Sequence, residues 1–226
     1  MSFRLSPLFA LLAFASGLAA QPYILSTYAG RGVTPTPVTA TQATIAKPYG
    51  IAHAGGKVYF SANHVVYVVD STGLMKRVAG TGTPGFSGDG GLAVNARLNF
   101  PSGLSADSAG NVYIADTGNF RIRKVTSAGI VSTVAGNENG GTPPLTGVAT
   151  AVPLMPSGVV ADASGNFWIA DKSGVLKVSA SGILTNIYSS GGLSPSLTNY
   201  LTTMALDSAG SVYFPLQSGR DRKSVV

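Results

Sequence analysis

Residues Pro101–Val125 read Pro-Ser-Gly-Leu-Ser-Ala-Asp-Ser-Ala-Gly-Asn-Val-Tyr-Ile-Ala-Asp-Thr-Gly-Asn-Phe-Arg-Ile-Arg-Lys-Val, and this stretch decides the fold. Gly103 to Ala106 is a short run of small and apolar residues. Asp107-Ser108-Ala109-Gly110 then has the form of a tight turn: Asp at the first position bonds its own backbone, and Gly at the last tolerates positive φ. Asn111 to Ala115 is almost wholly apolar, which predicts a strand buried on both faces. Arg121 to Val125 predicts a third strand, Thr126-Ser127-Ala128-Gly129 a second turn, and Ile130 to Ala135 a fourth strand.

The pattern recurs. A second copy begins at Pro156 (Pro-Ser-Gly-Val-Val-Ala-Asp-Ala-Ser-Gly-Asn-Phe-Trp-Ile-Ala-Asp), an earlier one at Pro48 and a last one at Thr203. The matching turn glycines are Gly56, Gly110, Gly165 and Gly210, with spacings of 54, 55 and 45 residues. A period of this size marks propeller blades or solenoid units. Asp70-Ser71-Thr72-Gly73 and Ser179-Ala180-Ser181-Gly182 supply the later turns of the other copies. Each copy carries one large aromatic at the same register (Tyr59, Tyr113, Trp168, Tyr213). A column of this kind is expected to pack between units.

Composition agrees with an all-β chain. Among 226 residues there are 29 glycines, 13 prolines and no cysteine, and charged residues make up only 11%. Many turns between short strands suggest a sandwich, a barrel or a propeller. Without cysteine, an exported chain must be stabilised by packing. Export itself is expected from the N-terminus: Arg4 precedes an apolar run from Leu5 to Ala15, and Gly17, Ala19 and Ala20 offer a cleavage site, so residues 1–20 read as a signal peptide. The run is shorter than the roughly 20 residues a membrane-spanning helix needs, so a secreted or periplasmic location is expected, with no stable span after cleavage. The formal net charge is +6, and its basic residues are scattered. Only Arg121, Arg123 and Lys124 cluster, which is thinner than a nucleic-acid footprint, so nucleic acid is not an expected partner.

The Pro101–Val125 segment resembles a near-consensus NHL repeat. The linking segments Arg77 to Thr81 and Thr133 to Asn137, and the Gly-Phe-Ser-Gly-Asp-Gly-Gly run from Gly85 to Gly91, resemble those of secreted bacterial NHL-repeat arrays. The resemblance is strong in the second unit, good in the third and weaker in the first and fourth, where His53 replaces the turn Asp and Pro215 replaces Ala115 and Ala170. It implies a β-propeller of four-stranded antiparallel blades, six-bladed when complete, with three to four blades here. The units fall at 48–80, 101–136, 156–188 and an incomplete 203–220. Residues 23–30 match a closing fourth strand. The fourth unit is expected to stop near Phe214, and Asp221 to Val226 to be a non-native tail on a C-terminally truncated fragment of a longer protein.

The motifs that could carry chemistry are weak ones. Gly80-Thr81-Gly82-Thr83-Pro84-Gly85 matches Gly-x-Gly-x-x-Gly, but glycines and a proline follow where a dinucleotide site needs a helix. Gly88-Asp89-Gly90-Gly91 has one carboxylate, where calcium wants several. His53 and His64 fall at opposite ends of a predicted hairpin, so zinc or a Ser-His pair lacks support. Asp107, Asp162 and Asp207, and Asp116 and Asp171, recur by register, which suggests structural capping in every unit. No catalytic residue, metal ligand or cofactor is expected. The family resemblance implies an extracytoplasmic binding or interaction scaffold, its partner a protein or a carbohydrate. Phe86, Asp89, Arg97, Asn119 and Lys172 are candidate surface residues on the face that carries the glycine-rich loops. The alternative is a propeller enzyme, a lyase or a lactonase-type hydrolase, with channel-lining residues partly in blades missing from this chain.

Overall fold

The computed structural model describes residues 37–43, 45–189, 204–207, 210–214 and 223–225. The repeat units fold as successive antiparallel sheets, each a blade whose strands A to D run outward from a shared centre. Blade 1 contains β1 (Val38–Thr39), β2 (Pro48–Ala54), β3 (Lys57–Ala62), β4 (Val65–Val69) and β5 (Leu74–Ala79). Blade 2 contains β6 (Pro101–Ala106), β7 (Val112–Asp116), β8 (Arg121–Val125) and β9 (Val131–Ala135). Blade 3 contains β10 (Thr146–Val148), β11 (Pro156–Ala161), β12 (Phe167–Asp171), β13 (Gly174–Val178) and β14 (Ile183–Ser189). In the fourth unit β15 (Ala205–Leu206) pairs with β16 (Val212–Phe214), and β17 (Lys223–Val225) pairs with β16 in turn. Residues expected to be foreign to the repeat thus supply backbone where strand C stands in the other blades. Ladder hydrogen bonds come from the main chain and need no particular side chain. The expected signal peptide and the 23–30 strand lie outside the described residues.

The turns form for the expected reason. Asp107 accepts from the Asn111 backbone N–H at 2.8 Å and from its amide at 2.7 Å. Asp162 does the same with Asn166, at 2.8 and 2.7 Å, and Asp207 accepts from the Ser211 N–H at 2.8 Å.

Small residues on strand A let the blades meet at the centre. A Cβ on Gly103 would lie 2.5 Å from the Gly158 Cα, and one on Gly50 would lie 2.0 Å from the Ser102 carbonyl oxygen. Both obstacles are backbone, so neither can move aside cheaply. Ser102 donates to the Ser157 carbonyl at 2.8 Å, and the Ser105 hydroxyl accepts from the Ala161 N–H at 3.0 Å, tying β6 to β11.

Each blade boundary has its own apolar layer. Between blades 1 and 2, Tyr59, Val66 and Ala79 meet Leu104, Ile114 and Val131. Between blades 2 and 3, Tyr113 and Ile122 meet Phe167, Ile169 and Leu184. Trp168 lies with Val175, Val212 and Phe214 at the next boundary. Tyr59, Tyr113 and Trp168 occupy equivalent buried positions, with Tyr213 more exposed. Strands β7 and β12 are buried throughout, as an apolar strand between two blades must be.

One feature departs from four strands per unit. The segment leading into each blade first pairs with that blade's outermost strand. β1 pairs with β5 and β10 with β14, while in blade 2 Leu92 bridges Ile130. The chain then returns inward through a single 3₁₀ turn, at Ala40–Gln42, Ala93–Asn95 and Ala149–Ala151. In blade 2, Ala93, Ala96 and Leu98 fill the boundary as they pass, each fully buried. This lead-in covers strand edges that would otherwise be open to pairing with another chain. Its recurrent small-apolar spacing (Ala93, Ala96, Leu98 against Ala149, Val152, Leu154) is visible in the sequence once the pairing is known.

Candidate ligand-binding face

The B–C turns and the long D–A loops meet on one face. At blade 2 the joint is specific: the Asn119 amide donates to the Gly85 carbonyl at 2.8 Å, and the Gly118 N–H donates to the Asn99 carbonyl at 2.8 Å. Beneath it lies Arg123, fully buried on β8. Its guanidinium donates to Asp89 at 2.7 Å, to the Ser87 carbonyl at 3.1 Å and to Asp116 at 3.4 Å. The second oxygen of Asp89 accepts from the Thr133 hydroxyl at 2.7 Å. One buried cation therefore rivets the Gly85–Gly91 run to strands C and D of blade 2. Gly88 fits because its φ is 96° and because a Cβ there would lie 2.8 Å from the Ala96 Cα.

Phe86 caps this network from outside. The Arg121 guanidinium carbon lies 3.9 Å from its ring centroid and that of Arg123 lies 4.8 Å away, both within cation–π range. The ring is still 43% exposed.

Asp116 has a second task. Its Oδ1 accepts the Asn99 N–H at 2.7 Å, fixing the chain just before strand A, and its Oδ2 accepts the Asn119 amide at 2.8 Å. Asp171 does the equivalent in blade 3, accepting the Met155 N–H at 2.6 Å. The strand-B aspartates thus anchor the start of their own blade. Burial pushes the Asp116 carboxyl up to about 6, against the opposing pull of Asn119, the Asn99 N–H and Arg123. Next in sequence, the Phe100 N–H donates to His64 Nδ1 at 3.2 Å, and the two rings meet edge to face at 4.7 Å. To accept that bond His64 must be neutral at Nδ1, and burial lowers its pKa accordingly. Phe100 has φ of 47° before a proline, an uncommon geometry for a bulky residue.

Of the five surface candidates, the fold brings four together: Phe86, Asp89, Asn119 and Arg97. Arg97 bridges Ser87, donates its N–H to the Ser87 hydroxyl at 3.2 Å and keeps an exposed side chain. Asn119 is not on the surface as expected. It is 8% exposed, because its amide serves both Gly85 and Asp116. Lys172 is exposed on the B–C turn of blade 3, where its N–H donates to the Met155 carbonyl, away from this cluster. Arg121, Arg123 and Lys124 do not form one basic patch. Arg123 points inward, Arg121 lies on Phe86, and Lys124 sits 5.2 Å from the Tyr113 ring centroid. The sequence does not mark Arg123 as a core residue, since a lone arginine on a strand reads as solvated. The signal lay in its pairing with the single Asp of the Gly85–Gly91 run. Strand register places Tyr67 and Leu176 at the same position in blades 1 and 3, so among these three blades the ion network belongs to blade 2.

The other motifs resolve simply. Gly80, Gly82 and Gly85 lie in a loop that continues into the Ser87–Arg97 bridge. His53 sits at the A–B end of blade 1 and His64 at its B–C end. Among the described residues no group of three or more His, Cys, Asp or Glu could hold a metal ion.

The family model of the Teneurin NHL domain matches residues 82–150, which span this loop and blade 2. That match falls on the repeat unit already described. The chain carries NHL-type repeats. Human Teneurin-1 is 49% identical over 41 residues, covering 18% of this chain and 2% of the relative. Human Teneurin-4 is 55% identical over 38 residues, covering 17% and 1%. The NHL-repeat chain therefore spans only a small fraction of the curated relatives it matches. Among solved structures, a virginiamycin B lyase from Staphylococcus aureus is 16% identical, with a TM-score of 0.48, over 79% of this chain and 55% of that one. A gluconolactonase from Xanthomonas campestris is 15% identical, with a TM-score of 0.48, over 79% and 60%. Likeness at this level carries no activity across to the NHL-repeat protein.

Proposed function

We propose that this NHL-repeat protein is an extracytoplasmic binding scaffold whose ligand face is the D–A and B–C loop face of blade 2. The observation that carries the reading is Phe86, a large ring left 43% exposed on a loop that is otherwise fixed from below by the Arg123 network. A rigid, exposed aromatic flanked by arginines is the composition of an interface centre, and rigidity reduces the ordering cost of binding. The strand-B carboxylates of blades 2 and 3, Asp116 and Asp171, are each engaged by a main-chain donor, which favours a positioning role over proton transfer.

Metal content and a chelator melt test this reading against a lyase or lactonase-type hydrolase. The scaffold should carry no stoichiometric divalent metal, and its thermal midpoint should be unchanged by chelator. Stoichiometric metal together with a fall in midpoint would move the assignment to the enzyme class. The location rests on Arg4 and the Leu5 to Ala15 run. Secreted material should begin at Ala20 or Gln21 by N-terminal mass, and an intact Met1 would remove the support for export.

A further inference from the structure

The charges on this face do not balance. Its two nearest carboxylates, Asp89 and Asp116, are both committed to the buried Arg123. That leaves Arg97 and Arg121, which have no carboxylate within ion-pair distance among the described residues. Arg121 lies on one side of Phe86 and donates to the Asn119 carbonyl at 2.8 Å. Arg97 emerges beside Gly85, where its Cδ would be 3.3 Å from a Cβ added to that glycine. The exposed ring therefore lies against one guanidinium without a carboxylate partner, and a second such arginine packs beside the adjoining Gly85.

Resting on the binding-scaffold reading, we propose that this patch docks an acidic segment of a protein partner, one with an aromatic or aliphatic side chain beside its carboxylates. Guanidinium forks match carboxylates in pairs, and the ring offers apolar contact to the neighbouring side chain. Aromatic residues and arginine are enriched together in protein interfaces. A neutral saccharide fits less well, because the carboxylates that would accept from its hydroxyls already serve Arg123.

The test uses the mature full chain and three probes: a random glutamate–tyrosine copolymer, polygalacturonate and polyuridylate. The copolymer should bind, with affinity that falls as salt rises. Phe86→Ala should weaken it about thirtyfold, the scale of an interface hot spot. Arg97→Glu should weaken it about tenfold, the scale of a charge mismatch at an interface rim. Phe86→Ala also uncovers Arg123, so Arg97→Glu, which leaves the network untouched, is the decisive variant. Lys57→Glu, at the A–B end of blade 1, should leave binding unchanged. Equal weakening by Arg97→Glu and Lys57→Glu would reduce the effect to net charge and overturn the proposal. Arg97-dependent binding of polygalacturonate or polyuridylate without the copolymer would overturn the peptide class and leave the ligand face standing. No dependence on Phe86 or Arg97 with any probe would overturn both.

Discussion

Asp116 and Arg123 are each fully buried and each charged in isolation, so neither is affordable alone. The Asp116 carboxyl, pushed up to about 6, keeps its proton more tightly folded than unfolded. Its contribution to stability is therefore fully present below about pH 4 and is lost as pH rises through 6. Carbon-detected NMR of the Asp116 side chain should show a titration midpoint near 6. A midpoint near 4 would mean that Arg123 and the two amide donors outweigh burial. Asp116→Asn should remove this group's share of the pH dependence between 4 and 6, read by urea denaturation at each pH. Arg123→Leu should cost about 3 kcal/mol, because it leaves the carboxyl buried without its cation. It should also raise the Asp116 midpoint further. Blade 3 carries Leu176 at that position without difficulty because its Asp171 is engaged by Met155 and Ser173. The triple change Arg123→Leu, Asp116→Asn, Asp89→Asn should accordingly recover much of the loss.

Strand A is the element on which assembly of the blades depends. Gly103 faces Gly158 across a gap too small for a methyl group. Gly103→Ala should therefore destabilise by about 3 kcal/mol, at the upper end of overpacking costs, because backbone and not a flexible side chain blocks the way. Gly129→Ala is a useful contrast. A Cβ there meets nothing within 4 Å, but φ is 80°, so its smaller cost would come from backbone strain alone. Comparable denaturation midpoints for the two variants would show that strand A is looser than its contacts indicate. The lead-in segment is the second element of interest. It covers the outer edge of each blade and fills the boundary behind it, so one stretch of chain does two structural jobs.

Across the molecule, the apolar layers are separate, one per boundary. Leu98 belongs to the layer between blades 1 and 2, and Leu154 to that between blades 2 and 3. Both are fully buried. Leu98→Ala and Leu154→Ala should each cost about 3 kcal/mol, as cavity-forming changes in a packed core do. Because the two sites share no layer, the double variant should be additive within about 0.5 kcal/mol. Marked non-additivity in chemical denaturation would show that blade 2 transmits strain from one boundary to the other. Trp168, the only tryptophan, reports a third boundary. Comparing its fluorescence with circular dichroism would show whether that end unfolds with the rest.

The sequence by itself determined the repeat, the strand order within it, the Asp-capped turns and the aromatic column. All of these are local or periodic: a turn needs Asp and Gly a few residues apart, and a doubly buried strand needs an unbroken apolar run. It also singled out four of the residues that share the blade 2 face, because glycine-rich loops stand out in composition. Only the tertiary structure decided that Arg123 is core, that Asn119 is buried, and that Lys172 stands apart from the others. Those outcomes rest on contacts such as Arg123 with Asp89 and Asn119 with Gly85, each spanning 34 residues. The lead-in strands were hidden for the same reason. Two or three residues carry no periodicity of their own, and their pairing exists only once the outer strand they cover has folded.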